Sequence, residues 1–377
     1  MLRSLVQRIA DRDSRRGGLL SRVLTATVKR LPHHLVAPLH RKAKLCYYNV
    51  SDYGHLAYLR GQRYLTVFAD INNICNLRCV MCSRGSVPAT VRNMTVSEFE
   101  RIGDACLYNA RHLQVCCSWE LSVSKYAPDI LRMLPKYGIP FTAVITNGNF
   151  LSDELMESFF ESDLNEVTIS IGEATRETYE KIRVRGDFAS VMSNIERLRE
   201  AKRTLRTRRP IIAANLTIMR SNVDELVDFV HLAAKVGIEI IRGRHLMLLE
   251  GCPVADEVLV SDTERTNEII ACAQEVARAE NIPFHVPYLN GVPKADYSCY
   301  RPWDTLYISS DGSLSVCPRI KEYEHLGNLL ESGFEELFYS SEPINKLRDD
   351  FVAGTHNAVC RWCIGGMKER EPTSQRF

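Results

Sequence analysis

Three cysteines stand close together in the stretch from Asn72 to Gly85, with the spacing C-x3-C-x2-C. They are Cys75, Cys79 and Cys82. Cysteine thiolates bind zinc and iron–sulfur clusters, and three of them at this spacing suit a loop wrapped round one metal centre. A closed zinc site and a saturated cluster both need four ligands, so three cysteines leave one position open. The alternatives are a zinc site whose fourth ligand lies elsewhere and a chance grouping.

Four further cysteines near the other end of the chain have the number of ligands that a second centre needs. They are Cys299, Cys317, Cys360 and Cys363, the last two in C-x2-C spacing. Four thiolates close a [4Fe–4S] cluster completely, and they equally make a zinc ribbon. The sequence holds 13 cysteines and opens without an apolar signal segment, which indicates a cytoplasmic chain that binds metal or clusters rather than disulfides.

Alternating strand-like and helix-like segments predict the frame that positions the first cysteine group. The predicted strands are 64–71, 113–117, 141–146, 166–171, 210–219 and 238–241. The predicted helices are 95–109, 125–137, 153–161, 175–183, 188–202, 223–236 and 262–280, and Thr95 and Glu98 have capping-box spacing. Such alternation is typical of a parallel sheet with right-handed connections, which curls into a barrel or an open layer. The active site then lies at the carboxyl ends of the strands, where the cysteine loop follows the first strand.

The pattern changes after about residue 285. A hairpin is predicted from 305–309 and 313–317 around Asp311-Gly312, followed by a helix at 334–350 and a cysteine-bearing tail. We therefore predict three parts: a basic helical N-terminal segment at 1–63, a core at 64–285, and a small C-terminal α+β domain at 286–377.

Charge is unevenly distributed along the 377 residues, although the formal net charge is only +2. Residues 1–64 hold 13 Lys and Arg against three Asp, so this segment is +10 and the other 313 residues sum to −8. Bulk charge does not indicate a nucleic-acid-binding protein. Apolar stripes in the basic arm normally pack on the protein itself; the alternative is peripheral contact with an anionic membrane.

The cysteine loop resembles the hallmark C-x3-C-x-φ-C of the radical S-adenosylmethionine (SAM) superfamily, with Met81 at the φ position. The resemblance covers about 64–280. It implies a partial (β/α)6 radical-SAM barrel in an α/β fold, with a small C-terminal twitch/SPASM-like domain after it and the basic helical arm before it. The cofactors it implies are SAM and a [4Fe–4S] cluster whose open iron binds SAM.

The resemblance also implies which residues contact SAM. Glu120 stands where relatives carry a Gly-Gly-Glu-Pro-like motif, and its carboxylate is expected to accept hydrogen bonds from the SAM amino group. Met81 in the cysteine loop is also an implied SAM contact, as are Thr146, Asn147 and Ser170, which follow the third and fourth strands near the cofactor. Gly172 replaces an Asp that relatives often carry. Arg183 matches an Arg that binds the SAM carboxylate, which its forked guanidinium suits.

The four C-terminal cysteines resemble the shortened SPASM domain called twitch, so we predict one auxiliary [4Fe–4S] cluster. Having no open iron, it is suited to electron transfer. The spacing most resembles a dehydrogenase of an aminocyclitol alcohol. We therefore expect oxidation or epimerisation of a small polar molecule, sugar or glycolipid, with flavodoxin or ferredoxin as electron donor. The alternatives are a SPASM-type maturase of a ribosomal peptide, and a zinc or cluster protein that binds RNA or membrane through the basic arm.

An oxidation of this kind also needs a base to take the proton. His245 and Glu250 follow the sixth predicted strand at the catalytic end. A histidine titrates near neutral pH, so His245 is the natural candidate, with Glu250 beside it.

Replacing Cys75, Cys79 and Cys82 together by Ala is expected to abolish reductive cleavage of SAM and to leave the auxiliary cluster in place. Iron should fall from about eight to about four per chain, because each [4Fe–4S] cluster holds four irons. Anaerobic iron and sulfide analysis, together with chromatography of 5′-deoxyadenosine, measures both. Zinc in place of iron, or continued 5′-deoxyadenosine production by the triple variant, would contradict this interpretation.

Overall fold

The computed structural model describes residues 63–82, 90–246, 254–259, 262–289, 299, 301–317, 326–355 and 360. The predicted N-terminal segment lies outside these residues except for Arg63. The described residues fall into two compact units, one comprising Val67–Gly291 with Ile308–Gly312 and the other comprising the remaining segments. In the described part of the chain, no helix is long and apolar enough to cross a membrane.

The first unit is built on a largely parallel sheet, as the sequence predicts. Its strands are β1 (Leu65–Ala69), β3 (Ala110–Val115), β4 (Phe141–Thr146), β5 (Glu166–Ile169), β7 (Ile211–Ile218), β8 (Ile240–His245) and β9 (Phe284–His285), in that order across the sheet. Neighbouring strands from β3 to β9 run parallel. Two short strands outside this sheet, β2 (Arg78–Cys79) and β6 (Arg183–Val184), pair with each other in antiparallel fashion.

Seven helices accompany these strands among the residues described for this unit. They are α1 (Val96–Cys106), α2 (Ala127–Met133), α3 (Asp153–Glu161), α4 (Arg176–Ile182), α5 (Phe188–Thr204), α6 (Leu226–Val236) and α7 (Thr263–Ala279). The predicted capping box is present at α1, because the Thr95 hydroxyl accepts from the Glu98 amide and the Glu98 carboxylate accepts from the Thr95 amide. The alternation of strand and helix confirms the predicted α/β fold class.

The two faces of the core strands differ in polarity, which the sequence reading did not predict. One face is apolar and fully buried, as at Leu216 and Ile241. The other face carries half-buried or exposed polar side chains, such as Asn215, Arg242 and Arg244. Arg242 on β8 reaches across β7 to Glu166 on β5, so the polar side chains of these strands share one face, which we call the concave face. Strand side chains alternate between faces, so each strand contributes to both.

The second unit contains a short hairpin and two helices among its described residues. The strands are β10 (Thr305–Ile308) and β11 (Leu314–Ser315); the segment between them, Ile308–Gly312, is assigned to the first unit, and Gly312 there has φ +87°. The helices are α8 (Arg301–Asp304) and α9 (Glu342–Ala353), and Trp303 packs edge-on against Phe351.

The helix predicted at 334–350 is interrupted within this second unit. Glu336–Ser340 forms one wide turn, and α9 begins only after Ser341. Ser341 is extended and a proline follows Glu342, so the chain leaves the helical path there and restarts with proline in the first turn.

Gly172, which follows β5, lies against β7 too closely to carry a side chain. A Cβ atom there would stand 2.3 Å from the Cβ atom of Leu216. The Asp that relatives carry at this position therefore does not fit. Gly172→Ala is expected to lower the free energy of unfolding by about 1–3 kcal/mol, as overpacking does. Thermal unfolding of the anaerobic protein measures the change.

Gly333→Ala is the matched control, because a Cβ atom at Gly333 meets nothing within 4 Å. An unchanged unfolding midpoint for Gly172→Ala would show that β7 yields to the extra atom, contrary to the close packing.

Candidate active site at the carboxyl ends of the strands

The cysteine loop begins after β1 and is held in place by the β2–β6 pair. Cys79 lies opposite Arg183 in this antiparallel ladder. The Val80 amide donates to the Ile182 carbonyl at 2.9 Å, and the Cys82 amide donates to the Cys79 carbonyl at 3.0 Å. The ladder therefore fixes the middle of the loop beside the end of α4, at the carboxyl end of the sheet.

The three thiols lie near one another in a partly buried environment. The pKa of Cys75 is raised to about 11, mainly by burial; the hydrogen bond from the Leu77 amide lowers it, and the charges of Glu120, Cys79 and Cys82 contribute to the rise. Burial also raises the pKa of Cys79, whereas the neighbouring Arg183 guanidinium lowers it. Bound iron must displace these thiol protons, so cluster assembly releases protons.

Glu120 occupies the centre of a buried hydrogen-bond network. It is 3% exposed. Its carboxylate accepts from the Thr146 hydroxyl at 2.5 Å, from the Asn147 amide at 2.7 Å and from the Ser122 amide at 3.0 Å. Burial raises its pKa, while these hydrogen bonds lower it. The predicted Glu120, Thr146 and Asn147 thus come together, and Glu120 holds the turn that follows β4.

Asn147 connects this network to the cysteine loop. Its side-chain amide donates to the Asn76 side-chain oxygen at 2.8 Å and lies 4.0 Å from the Cys75 sulfur. The Leu77 amide also donates to that sulfur, at 3.4 Å. The carboxyl end of β4 and the cysteine loop are therefore one hydrogen-bonded assembly.

Arg183 forms a buried ion pair that the sequence reading did not include. Its Nε donates to Glu173 Oε2 at 3.0 Å, and the two side chains are 5% and 1% exposed. Burial lowers the pKa of Arg183, but the charges of Glu173 and Cys79 raise it more, so its pKa lies above the ordinary value. The expected contact of Arg183 with the SAM carboxylate stays a prediction, and its Nε is bound to Glu173.

The other two predicted contacts lie at the same end of the sheet. The Ser170 amide donates to the Thr146 carbonyl at 2.8 Å, which places Ser170 beside the end of β4. Met81 packs against a buried apolar cluster formed by Ile182, Met219 and Leu246. Their predicted contacts with SAM remain predictions.

His245 lies at the end of β8, on the face of the strand that carries buried Ile241 rather than Arg242 and Arg244. Its Nε2 is 2.7 Å from the Pro287 carbonyl, which only accepts, so Nε2 carries the proton. Its Nδ1 is buried and has no partner among the described residues. Burial lowers the pKa of His245, which favours the neutral ring. Its role as a base remains a prediction, and Glu250 lies outside the described residues.

A second ion pair, on the concave face, was also missed. Both terminal nitrogens of Arg242 donate to the Glu166 carboxylate, at 2.6 and 2.8 Å. Arg244 follows two residues later on the same face, and its guanidinium donates to the Asn215 side chain at 3.3 Å. The period-two placement of Arg242 and Arg244 is the sequence signal that predicts one polar strand face.

The cysteines outside the loop differ in burial. Cys299 and Cys317 are partly buried and Cys360 is buried, while Cys363 lies outside the described residues. Cys106 and Cys116 are buried and Cys117 is partly buried, whereas Cys272 on α7 is exposed.

The donor set of the loop suits an iron–sulfur cluster. Among the residues that the structure describes, no three His, Cys, Asp or Glu side chains converge on one metal ion. A cluster binds each thiolate through a different iron, so its ligands need not converge on a point. A parallel α/β sheet with a three-cysteine loop at the carboxyl ends of its strands defines an enzyme that binds an open cluster and a further ligand.

Residues 70–233 match the family model of the radical SAM superfamily, and residues 299–364 match that of SPASM, an iron–sulfur cluster-binding domain. The chain belongs to the radical SAM superfamily and carries a SPASM domain. Its cofactors are SAM and a [4Fe–4S] cluster, with auxiliary iron–sulfur binding in the SPASM domain.

Two curated relatives match most of the chain. One is an AdoMet-dependent heme synthase from Methanosarcina barkeri, 24% identical over 77% of this chain and 87% of that protein. The other is the mycofactocin maturase MftC from Mycolicibacterium smegmatis, 24% identical over 78% of this chain and 76% of that protein. The fold is similar to that of Streptococcus suis SuiB bound to its precursor peptide SuiA. The TM-score is 0.63 at 13% identity, over 80% of this chain and 70% of SuiB.

Glu120→Ala is expected to destabilise the core and to weaken SAM binding. It leaves the Thr146 hydroxyl and the Ser122 and Asn147 amides without their acceptor, at about 1–3 kcal/mol for each donor that stays buried. Thermal unfolding and equilibrium dialysis with labelled SAM measure the two effects. Glu157→Ala, at an exposed position of α3, is the control. Unchanged stability would mean that water replaces the lost carboxylate.

Proposed function

We propose that the chain is a radical SAM peptide maturase that takes a hydrogen atom from a peptide lying on the concave face of the core sheet. The observation that carries this proposal is the polar concave face, where Asn215 and Arg242 are half-buried and Arg244 is exposed toward the cysteine-bearing end of the strands. A peptide presents backbone amides and carbonyls along its length, and polar side chains on an open face can pair with them.

Different residues of this chain would bind the cluster, orient its loop and exclude water in such a reaction. Cys75, Cys79 and Cys82 would hold the cluster, and Asn147 would orient the loop through its hydrogen bond to Asn76, next to Cys75. When bound, the cluster and SAM supply a 5′-deoxyadenosyl radical that abstracts a substrate hydrogen. Met81 and the apolar cluster beside it exclude water from this end of the sheet.

Two arginines on the concave face would orient the peptide. Glu166 is 6% exposed at its side chain and holds Arg242 by two hydrogen bonds, so the Arg242 guanidinium is fixed in direction. Arg244 lies two residues after Arg242 on β8, nearer the carboxyl end of the strand, and it is exposed. Arg244 is therefore assigned to a carboxylate or a carbonyl of the peptide.

The similarity to MftC, which is a maturase, favours a peptide substrate over the small molecule expected from the sequence. SuiB was crystallised with its precursor peptide, and the likeness to SuiB concerns the fold. The similarity to a heme synthase, which extends over 87% of that protein, favours a second candidate: oxidation of a small molecule, here a tetrapyrrole.

The proposed role of the auxiliary domain is compatible with either a peptide or a tetrapyrrole substrate. Cys299, Cys317, Cys360 and Cys363 would close one cluster with no open iron, which suits electron transfer to or from the first centre. A flavodoxin or ferredoxin is the proposed electron donor. Peripheral contact with a membrane through the basic arm stays a prediction, since that arm lies outside the described residues.

The test uses the anaerobically reconstituted enzyme, SAM, a chemical reductant, and deuterated synthetic peptides encoded by genes beside that of this chain. We expect 5′-deoxyadenosine that carries deuterium and a peptide of altered mass, both read by mass spectrometry. Arg244→Gln should raise KM about tenfold or more and change kcat less, because loss of a charged hydrogen bond weakens binding.

The triple variant of Cys75, Cys79 and Cys82 is the negative control, and a tetrapyrrole replaces the peptide in a parallel reaction. Deuterium transfer from the tetrapyrrole, with none from any peptide, would replace the proposal by the second candidate.

A further inference from the structure

A groove with an apolar floor lies at the end of the sheet opposite to the cysteine loop, and the proposed reaction does not use it. The ends of α3 and α5 form its walls, just before β5 and β7 begin. Its volume is about 600 Å³. Apolar side chains line the floor, among them buried Met156 and Leu164 and half-buried Phe160, and exposed Glu157 and Arg209 stand at the rim.

Leu205, at one edge of this groove, presents an apolar side chain to solvent. It follows the last residue of α5 and is 57% exposed. A single exposed leucine is ordinary on a protein surface. This leucine also lines the groove, so covering both together removes a continuous apolar surface from water, which is favourable.

The turn that carries Leu205 has an arginine where a helix end usually has glycine. The Arg206 amide donates to the Arg203 carbonyl at 3.2 Å. The Thr207 amide donates to the Lys202 carbonyl at 3.1 Å, which completes the Schellman pattern. Arg206 has φ +50°, in the left-handed region that favours glycine. A side chain at this position costs free energy, so its presence calls for a contact that offsets the cost.

Three charged side chains beside the groove have no partner among the described residues, although their neighbours do. They are Glu157 on α3 and Arg206 and Arg208 after α5. The other acids of the groove are in ion pairs, which are Asp153–Arg197, Glu161–Arg132 and Asp163–Arg209. One wall of the groove therefore offers an unpaired acid and the other wall offers two unpaired bases.

The groove, its two walls and Leu205, which we call the α3–α5 face, are complementary to a second copy of themselves. In a two-fold symmetric dimer, each contact between two different residues occurs twice, once in each direction. We propose that the α3–α5 face is the interface of a homodimer, in which Leu205 of each copy enters the groove of the other. Arg206 and Arg208 of one copy then pair with Glu157 of the other. The carboxyl ends of the strands stay uncovered by this interface, and the inference is independent of the substrate.

The first experiment is sedimentation of the anaerobically reconstituted full chain over a range of concentrations, in which we expect a monomer–dimer equilibrium. Leu205→Glu should raise the dissociation constant of the dimer about a hundredfold or more, because it brings two carboxylates into apolar surroundings. Val91→Glu is the matched control, since Val91 is also 57% exposed and lies elsewhere, and it should leave the dissociation constant unchanged. SAM cleavage with a chemical reductant checks that each variant is folded and loaded.

The second experiment reverses the charges on the two walls separately. Glu157→Arg and the double variant Arg206→Glu/Arg208→Glu should each weaken the dimer about tenfold or more, because like charges then face each other. An equimolar mixture of the two variants should form heterodimers, because every pair across the interface is again of opposite charge. Recovery in the mixture distinguishes a symmetric contact between copies from the docking of another molecule.

A holoenzyme that stays monomeric at every concentration would overturn the proposal. So would a dimer that Leu205→Glu leaves intact, or a mixture of the charge variants that forms no heterodimer. If Leu205→Glu does not cleave SAM, the mixture decides. Sedimentation with phosphatidylglycerol vesicles tests a different occupant: binding of a monomer to the vesicles, lost in Leu205→Glu, would assign the α3–α5 face to a membrane surface and overturn the homodimer.

Discussion

The antiparallel ladder between β2 and β6 is the contact on which the geometry of the site depends. It joins only two residues from each strand, yet it places Cys79 opposite Arg183. A cysteine loop without this contact would be free to adopt many conformations, and ordering it would cost about 1–2 kcal/mol per residue. Because the ladder sets the loop against the end of α4, the cysteines share one end of the sheet with Glu120 and Glu173.

Two buried carboxylates at this end have different tasks. Glu120 is satisfied by three protein donors, so its interactions serve the turn after β4 and, through Asn147, the cysteine loop. Glu173 is half satisfied, with one oxygen on Arg183 and the other open. A buried ion pair adds little net stability because desolvation offsets its attraction. The Glu173–Arg183 pair is therefore not explained by its contribution to stability alone.

The substrate side of the site depends on the two faces of the strands. The apolar face forms the core, and the concave face carries Arg242 and Arg244. The bond between Glu166 and Arg242 crosses an intervening strand, so the polar side chains of three strands share one face. The proposed cofactor and substrate residues come from one sheet, so a radical formed at its carboxyl end would meet the substrate without leaving the site.

The sequence by itself determined the family and most of the elements, and it predicted the cysteine ligands. Local patterns suffice for these, because hydrophobic period, capping residues such as Thr95 and Glu98, and the spacing of Cys75, Cys79 and Cys82 are read over a few residues. The β4 and α3 segments were predicted with the bounds that the structure has. The position of Glu120, Thr146 and Asn147 at one end of the sheet also followed, since parallel strands align their carboxyl ends.

Only the tertiary structure decided which side chains pair. Glu173 and Arg183 are ten residues apart, and Glu166 and Arg242 are 76 apart, and nothing local in the sequence specifies either contact. The pleat of β8 determines on which face of the strand His245 lies. The close approach of Leu216 leaves room only for a glycine at position 172. Such pairings arise from close packing across the whole sheet, which no short stretch of sequence encodes.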